Sequence, residues 1–303
     1  MTNKIFKSGY VTVAGLPNVG KSTLINRILD SKIMAVSDKP QTTRNNILGI
    51  FTTKDYQILF TDTPGYHYSD KDINKFFVKE AVSACKSADV IVFLFDGEAI
   101  REKKGYGQND NFIESIKENS RDIKIIPVLS KIDLIKTAEI KEMLKEIKAK
   151  YSFTDDVIPV SVPRSLGLTE LIKNITDLLP EGPVYYPEDE LTDRDVRFLC
   201  SEIIREKIFR YTHDELPYST AVSIVKYEEN PDIHRIYADI YVEKDSQKGI
   251  IVGAGASMIK KIGMEARIDI EKICSTKVYL ELFVKVKKNW TKDDKMLKEF
   301  GYK

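Results

Sequence analysis

Gly15-Leu16-Pro17-Asn18-Val19-Gly20-Lys21-Ser22 follows the apolar run Tyr10-Val11-Thr12-Val13-Ala14 and opens into the helix-like segment Lys21–Leu29. The stretch fits GxxxxGK[ST] at a strand-to-helix junction, and that context decides the fold of what surrounds it. Glycines let successive backbone N–H groups curl around a phosphate, and the helix N-terminus adds a positive field. Lys21 is expected to reach the β- and γ-phosphates of a nucleotide, and the Ser22 hydroxyl to bind Mg²⁺.

Outward from this loop, short runs rich in Val, Ile and Phe alternate with segments of helical spacing as far as Leu179. The alternation predicts an α/β fold: a doubly wound, mostly parallel P-loop sheet covered by helices. Asn46–Phe51 and Tyr56–Phe60 are separated by only four residues and should pair as one antiparallel edge hairpin. The three prolines of residues 180–194 mark a linker. The expected division is therefore 1–180 for the nucleotide domain, 181–192 for the linker and 193–303 for a second, small α+β domain ending in a helix. Thr192 or Asp193 is expected to cap the first helix of that domain.

Four more motifs sit at strand ends or loops in the order a guanine-nucleotide site requires. Asp62 of Asp62-Thr63-Pro64-Gly65 leaves a strand where a second-shell Mg²⁺ partner is needed, and the Gly65 N–H can meet the γ-phosphate. In Ser130-Lys131-Ile132-Asp133, Asp133 can accept from N1–H and the 2-amino group of guanine, which adenine cannot offer. Ser130 stands where such sites carry Asn and can replace only part of an amide. The Val162 N–H, after Ser161, is placed to meet guanine O6. Within Pro40-Gln41-Thr42-Thr43-Arg44, a threonine should ligate Mg²⁺ and sense the γ-phosphate; Thr43 is preferred, with Thr42 the alternative. The nucleotide set is Asn18, Val19, Gly20, Lys21, Ser22, Thr23, Asp62, Lys131, Asp133, Ser161 and Val162, with Lys21, Thr43 and Gly65 as its catalytic members. Tyr66 follows the glycine where a water-orienting Gln would sit, so hydrolysis of GTP to GDP should be slow.

The chain of 303 residues carries a net charge of +1, so total charge does not argue for nucleic acid. Three scattered cysteines, Cys85, Cys200 and Cys274, without a CxxC pair, argue against a disulfide framework and a structural zinc site and suit a reduced, cytoplasmic protein. Each reads as a small buried hydrophobe. No apolar run is long enough for a signal peptide or a membrane span.

GLPNVGKS, PQTTR, DTPGYH, SKID, the run Gly249–Lys272 and the ending Val284–Tyr302 together resemble the bacterial Era GTPase family over about residues 7–302. The resemblance implies a Ras-like GTPase domain joined to a type II KH domain. It also implies binding to the 3′ region of small-subunit (16S) ribosomal RNA, not DNA, and a role in small-subunit assembly. Peripheral association with the inner face of the cell membrane is a further expectation, motivated by the near-neutral charge and the altered loop of the second domain. Related GTPases sharing the PNxGKS loop and TTR segment hold K⁺ against the phosphates, a role that would fall to Asn18.

A KH module clamps nucleic-acid backbone with a GxxG loop. The matching residues are Gly253, Ala254, Gly255 and Ala256, with Ala replacing the last glycine and no charge between. Lys260 and Lys261 are expected to supply the attraction for phosphate, with Lys248 nearby. The alternative is a GTP-binding assembly factor with little intrinsic hydrolysis, or one whose second domain meets protein or a membrane surface.

Overall fold

The computed structural model describes residues 5–37, 39, 47–62, 82–104, 106–119, 123–153, 155–213, 216–293, 295–296 and 300. These group into two compact units, one within residues 1–31 and 46–193, the other within 32–45 and 194–303.

In the first unit, strands β1 (Lys7–Gly15), β2 (Leu48–Thr52), β3 (Tyr56–Asp62), β4 (Val90–Asp96), β5 (Lys124–Ser130) and β6 (Ile158–Pro159) form one sheet ordered β2-β3-β1-β4-β5-β6. Only β2 runs antiparallel to its neighbour, with Leu48 opposite Thr61 and Thr52 opposite Gln57. The expected mixed sheet and edge hairpin are thus present. The helices are α1 (Lys21–Ile28), α2 (Gly97–Arg101), α3 (Tyr106–Asn119), α4 (Thr137–Tyr151) and α5 (Leu168–Leu178). Strand β4, Val-Ile-Val-Phe-Leu-Phe-Asp, is buried along all but its last residue, as a central parallel strand must be. Phe93 and Phe95 from this strand pack with Phe112 and Ile116 of α3 and Met143 and Ile147 of α4. Strand order reverses at β1, which lies between β3 and β4. Doubly wound sheets bind ligands at the carboxyl ends of the strands at such a point.

The stretch 181–192 is not a free linker. Gly182 N–H donates to Phe6 O (3.2 Å), Ser8 Oγ to Pro183 O (2.6 Å) and Ile50 N–H to Leu191 O (2.8 Å), while Gln57 accepts from the N–H groups of Tyr185 and Tyr186. The prolines prevent helix and central strand here, yet an extended segment can still lie along the sheet and satisfy its backbone. Residues 32–39 also depart from the expected boundary, because they group with the second unit.

That unit contains α6 (Val196–Tyr211), β7 (Ala221–Glu228), β8 (Ile233–Val242), α7 (Asp245–Val252), α8 (Ser257–Cys274) and β9 (Lys277–Val286), in the order helix-strand-strand-helix-helix-strand. Strands β7 and β8 are antiparallel and β8 and β9 parallel. Asp195 caps α6, accepting from Phe198 N–H at 2.7 Å. Asp193, one of the two expected caps, instead accepts from Leu48 N–H of the first unit's sheet at 3.1 Å. Of the expected C-terminal helix only residues 295 and 296 are described as helical. Trp290 is buried, its indole N–H donating to Ser219 O at 3.1 Å, so it is a core residue.

An ionic cluster is built into this unit. Lys207 bonds Glu206 (3.0 Å) and Asp269 (2.5 Å), and Lys32 bonds the same two carboxylates at 2.7 Å each. Val36 N–H donates to Glu206 at 2.9 Å, and the Lys39 ammonium donates to the carbonyls of Phe209 and Thr212.

Candidate functional site

The carboxyl ends of β1, β3, β4 and β5, and the loop after β6, carry Gly15, Asp62, Asp96, Ser130 and Ser161 in turn. The loop from β1 to α1 is shaped by three positive φ angles: Gly15 at 147°, Asn18 at 62° and Gly20 at 102°. A Cβ on Gly15 would lie 2.7 Å from the Leu94 carbonyl oxygen, so only glycine passes there. Val19 is buried and anchors the loop; Thr23 is half-buried in the first turn of α1.

Lys21 is buried beneath this loop and donates to the carbonyls of Gly15 (3.2 Å) and Leu16 (3.0 Å). Burial pulls its pKa down to about 8, against the pull of the nearby Asp62 charge. An ammonium desolvated to that degree, at a helix N-terminus, suits an anion that would restore its charge. Ser22 Oγ donates to Asp62 Oδ2 at 2.5 Å, and Asp62 is fully buried. This paired hydroxyl and carboxylate are hard oxygen donors of the kind Mg²⁺ takes, directly or through water. Thr42, Thr43, Gly65 and Tyr66 lie outside the described residues.

At the far end of the sheet, Lys131 takes φ 57° and its ammonium bonds Asp96 Oδ2 at 2.6 Å. Asp96 caps α2 through its other oxygen, accepting from Glu98 N–H (3.0 Å) and Ala99 N–H (3.2 Å). Asp133 is oriented by Ser161, whose hydroxyl donates to Oδ1 at 2.6 Å. Ser161 is itself fixed by two backbone bonds with Leu166, at 3.1 and 3.0 Å. Gly167 permits this turn, since a Cβ there would sit 2.1 Å from the Pro159 carbonyl oxygen. Val162 lies half-buried on the same turn. Ser161 thus joins Asp133 to the loop that carries Val162.

Ser130 plays a different part from a base-reading amide. Its buried hydroxyl lies 3.0 Å from both the Val19 and Phe95 carbonyls, tying β4 and the phosphate loop to the end of β5. Two further residues escaped the sequence reading. Asp96 positions Lys131, and its only signal is a carboxylate ending an apolar strand. Arg27 bonds Ser165 Oγ at 3.0 and 2.6 Å, tying α1 to the Ser161 loop; nothing in the sequence marks that pair.

In the second unit Gly253, Ala254, Gly255 and Ala256 join α7 to α8. Ala254 and Gly255 are exposed, and the loop ends at the N-terminus of the 18-residue α8. Gly253 has φ 72°, and a Cβ would meet Met258 Cβ at 2.7 Å. Ala256 also holds a left-handed φ, 62°. Lys248 and Lys260 are exposed, whereas the Lys261 ammonium sits 4.1 Å over the Tyr211 ring.

A glycine-shaped loop over a buried Lys–Asp–Ser group, with the Asp133 carboxylate fixed by Ser161 at the end of a doubly wound sheet, is the arrangement of a P-loop GTP-binding protein, here carrying a KH-type second unit. Comparison with known proteins agrees. The family described as 50S ribosome-binding GTPase matches residues 10–131, and the KH domain family matches residues 215–291. The chain is 48% identical to the GTPase Era of Geobacter sp. (strain M21) over 303 residues, covering 100% of both. It is 46% identical to that of Thermosipho melanesiensis over 299 residues, covering 98% of each. Among solved structures, Era in complex with MgGDPNP and nucleotides 1506–1542 of 16S ribosomal RNA superposes with a TM-score of 0.88, at 36% identity over 98% of this chain and 99% of that one. An Aquifex aeolicus Era variant bound to GDP and AlF4⁻ matches with the same TM-score, 0.88, identity and coverage. The chain belongs to the Era family of GTPases.

Proposed function

We propose that this protein is a GTP-hydrolysing switch that binds the 3′ region of small-subunit ribosomal RNA through its second unit and assists assembly of that subunit. The observation that carries the nucleotide half is Lys21, buried, lowered in pKa and lying beneath a glycine-shaped loop beside the Ser22–Asp62 pair. In this reading Lys21 holds the β- and γ-phosphates, Asp133 and the Val162 N–H select guanine, and Ser22 and Thr43 ligate Mg²⁺ with Asp62 behind them. Mg²⁺, when bound, neutralises charge on the phosphates. The Gly65 N–H meets the γ-phosphate. Asn18, exposed at the loop tip, is the residue that would hold K⁺. Faster hydrolysis in potassium than in sodium at equal ionic strength is expected; equal rates would remove the monovalent cation from the mechanism.

The RNA half rests on the KH-type topology and on the relative solved with 16S ribosomal RNA across 98% of this chain. The fold places four backbone positions, 253–256, at the N-terminus of α8, where phosphate is favoured without side-chain charge. The site of action is the cytoplasm. Among the described residues no helix is long and apolar enough to cross a membrane.

Titrating the full chain, loaded with Mg²⁺ and a GTP analogue, with an RNA of that 3′ sequence tests the reading. Ala254→Lys should tighten binding and steepen the log–log salt dependence by about 0.7 for a single strand. Absence of RNA binding, or an Ala254→Lys variant identical to the parent, would refute this placement of the clamp.

A further inference from the structure

A cavity of about 470 Å³ lies within the first unit, between α1, the β2–β3 hairpin and α5. That volume suits a small organic molecule. Among the described residues, none of those assigned to the nucleotide lines it. Tyr56 opens β3 where Asp62 closes it, and Arg27 lies in the last turn of α1 where Lys21 lies in the first. The cavity therefore sits toward the opposite ends of the elements that carry the phosphate site.

Its walls are apolar and aromatic. Ile28 and Ile172 line it from the two helices. Phe51 and Tyr56, with ring centroids 6.2 Å apart and planes tilted by 49°, line it from the hairpin. All four are half-buried, so each leaves part of its surface uncovered. Two cations stand beside them, Arg27 and Lys173, and no carboxylate lines the cavity among the described residues. Lys173 is exposed, and its ammonium has no hydrogen bond or ion pair among the described residues, although Glu170 and Asp177 neighbour it on α5. Arg27 is held by Ser165 Oγ, 3.0 Å from Nε and 2.6 Å from Nη2, while Nη1 faces Asp30 at 3.6 Å. A ring against the apolar walls with an anion between the two cations meets all of these features. A cationic ligand would meet only repulsion, and an uncharged one would leave Lys173 unused.

We propose that this cavity binds an amphipathic aromatic carboxylate, its ring against Phe51, Tyr56 and Ile172 and its anion between Lys173 and Arg27, and that its occupancy loosens the turn that orients Asp133. The second part follows from Arg27. A carboxylate makes a stronger, charge-assisted bond to guanidinium than the neutral Ser165 hydroxyl does. Drawing Arg27 into the cavity frees Ser165, on the turn whose Ser161 donates to Asp133. A ligand that prefers the state without the Arg27–Ser165 bond weakens guanine nucleotide, and guanine nucleotide weakens that ligand by the same factor. This coupling rests on the assignment of Asp133 to guanine; binding in the cavity does not.

The test uses the full chain and two probes of like shape, 2-naphthoate and the uncharged 2-naphthylmethanol. In nucleotide-free protein, ligand-observed NMR titration should show naphthoate bound and the alcohol bound more weakly. Lys173→Ala, an exposed change, should weaken naphthoate by up to about fivefold and leave the alcohol unchanged. Ile172→Trp fills the cavity from α5 and should abolish binding of both probes. Saturating naphthoate should speed release of a fluorescent GDP analogue from the parent and not from the Ile172→Trp chain. Absence of naphthoate binding, or equal binding of the alcohol, overturns the site, and so does a Lys173→Ala chain that binds naphthoate as the parent does. Naphthoate that binds yet leaves GDP release unchanged overturns the coupling. A chain that binds naphthoate but no GDP supports the cavity site and refutes the nucleotide reading instead.

Discussion

Two lysines among the described residues are buried, and the surroundings drive them in opposite directions. Lys21, 7% exposed, has two carbonyls of its own loop for hydrogen-bond partners, and burial lowers its pKa to about 8. Lys207, 3% exposed, is equally desolvated, yet Asp269 and Glu206 outweigh burial and hold its pKa above the ordinary lysine value. Asp269 in turn, despite burial, is held well below the carboxylate range by Lys207 and Lys32. Burial alone therefore does not distinguish a site from a scaffold. The distinction lies in how far the charge is compensated: Lys207 bonds two carboxylates, whereas at Lys21 burial outweighs the nearby Asp62 charge.

Deleting each charge should separate the two roles. Asp269→Ala leaves Lys32 and Lys207 sharing the single carboxylate of Glu206 and should cost about 3 kcal/mol of stability in the second unit, with guanine-nucleotide affinity in the still-folded protein unchanged. Lys21→Met should do the reverse. The first unit keeps or gains thermal stability, because a strained ammonium is gone, while GDP affinity falls by about 2 kcal/mol or more, at least thirtyfold. Thermal melts read by calorimetry and a nucleotide titration check both. A Lys21→Met chain that melts early and still binds GDP would erase the contrast.

The pH dependence sharpens it further. In the empty site Lys21 loses its proton above about pH 8, whereas a bound phosphate keeps it charged. Nucleotide binding above that pH must take up a proton, and affinity should fall toward tenfold per unit between pH 8 and 10. The nucleotide-free first unit changes with the opposite sign. Its folded pKa lies below the unfolded value, so the unfolded chain binds more protons in this window and stability rises with pH. Calorimetric titrations in two buffers of different ionisation enthalpy measure the proton directly. Affinity flat from pH 7 to 9 would mean that Lys21 does not meet phosphate.

The same contrast explains what could be read from sequence. The places of Gly15, Lys21, Asp62 and Asp133 at or just after strand ends were legible because each closes or follows an apolar run. The sheet was legible because β4 is an unbroken apolar run. Asp96, Arg27 and the Lys207–Asp269 cluster were not, since each is a tertiary pairing between distant segments with no local signature. That residues 181–192 lie along the sheet was not legible for a related reason. Prolines report what a backbone cannot form, and Gly182 and Leu191 still found partners along the sheet. Ser130 shows an intermediate case. Its position was correct, but its hydroxyl serves the Val19 and Phe95 carbonyls.

The smallest predicted effect concerns the second unit's loop, which is made of backbone conformation where the first unit's site is made of charge. Ala256 holds φ 62° immediately before α8, and Gly253 holds φ 72° with Met258 packed where a Cβ would go. A left-handed alanine costs about 1–2 kcal/mol, while glycine costs roughly 0.4–1 kcal/mol of extra unfolded-state entropy. Ala256→Gly should therefore stabilise the second unit by about 0.5–1 kcal/mol, the difference of those two terms. Gly253→Ala should destabilise it by more than that, because the methyl meets Met258 as well as the unfavourable φ. Ala256→Gly adds no charge, so the salt dependence of RNA binding should keep the parent slope, unlike Ala254→Lys. Chemical denaturation of the two variants, followed by salt titration of the first, decides the matter. A loss of stability in Ala256→Gly would mean that the methyl group makes a contact outweighing its strained backbone, and that the loop is held by packing.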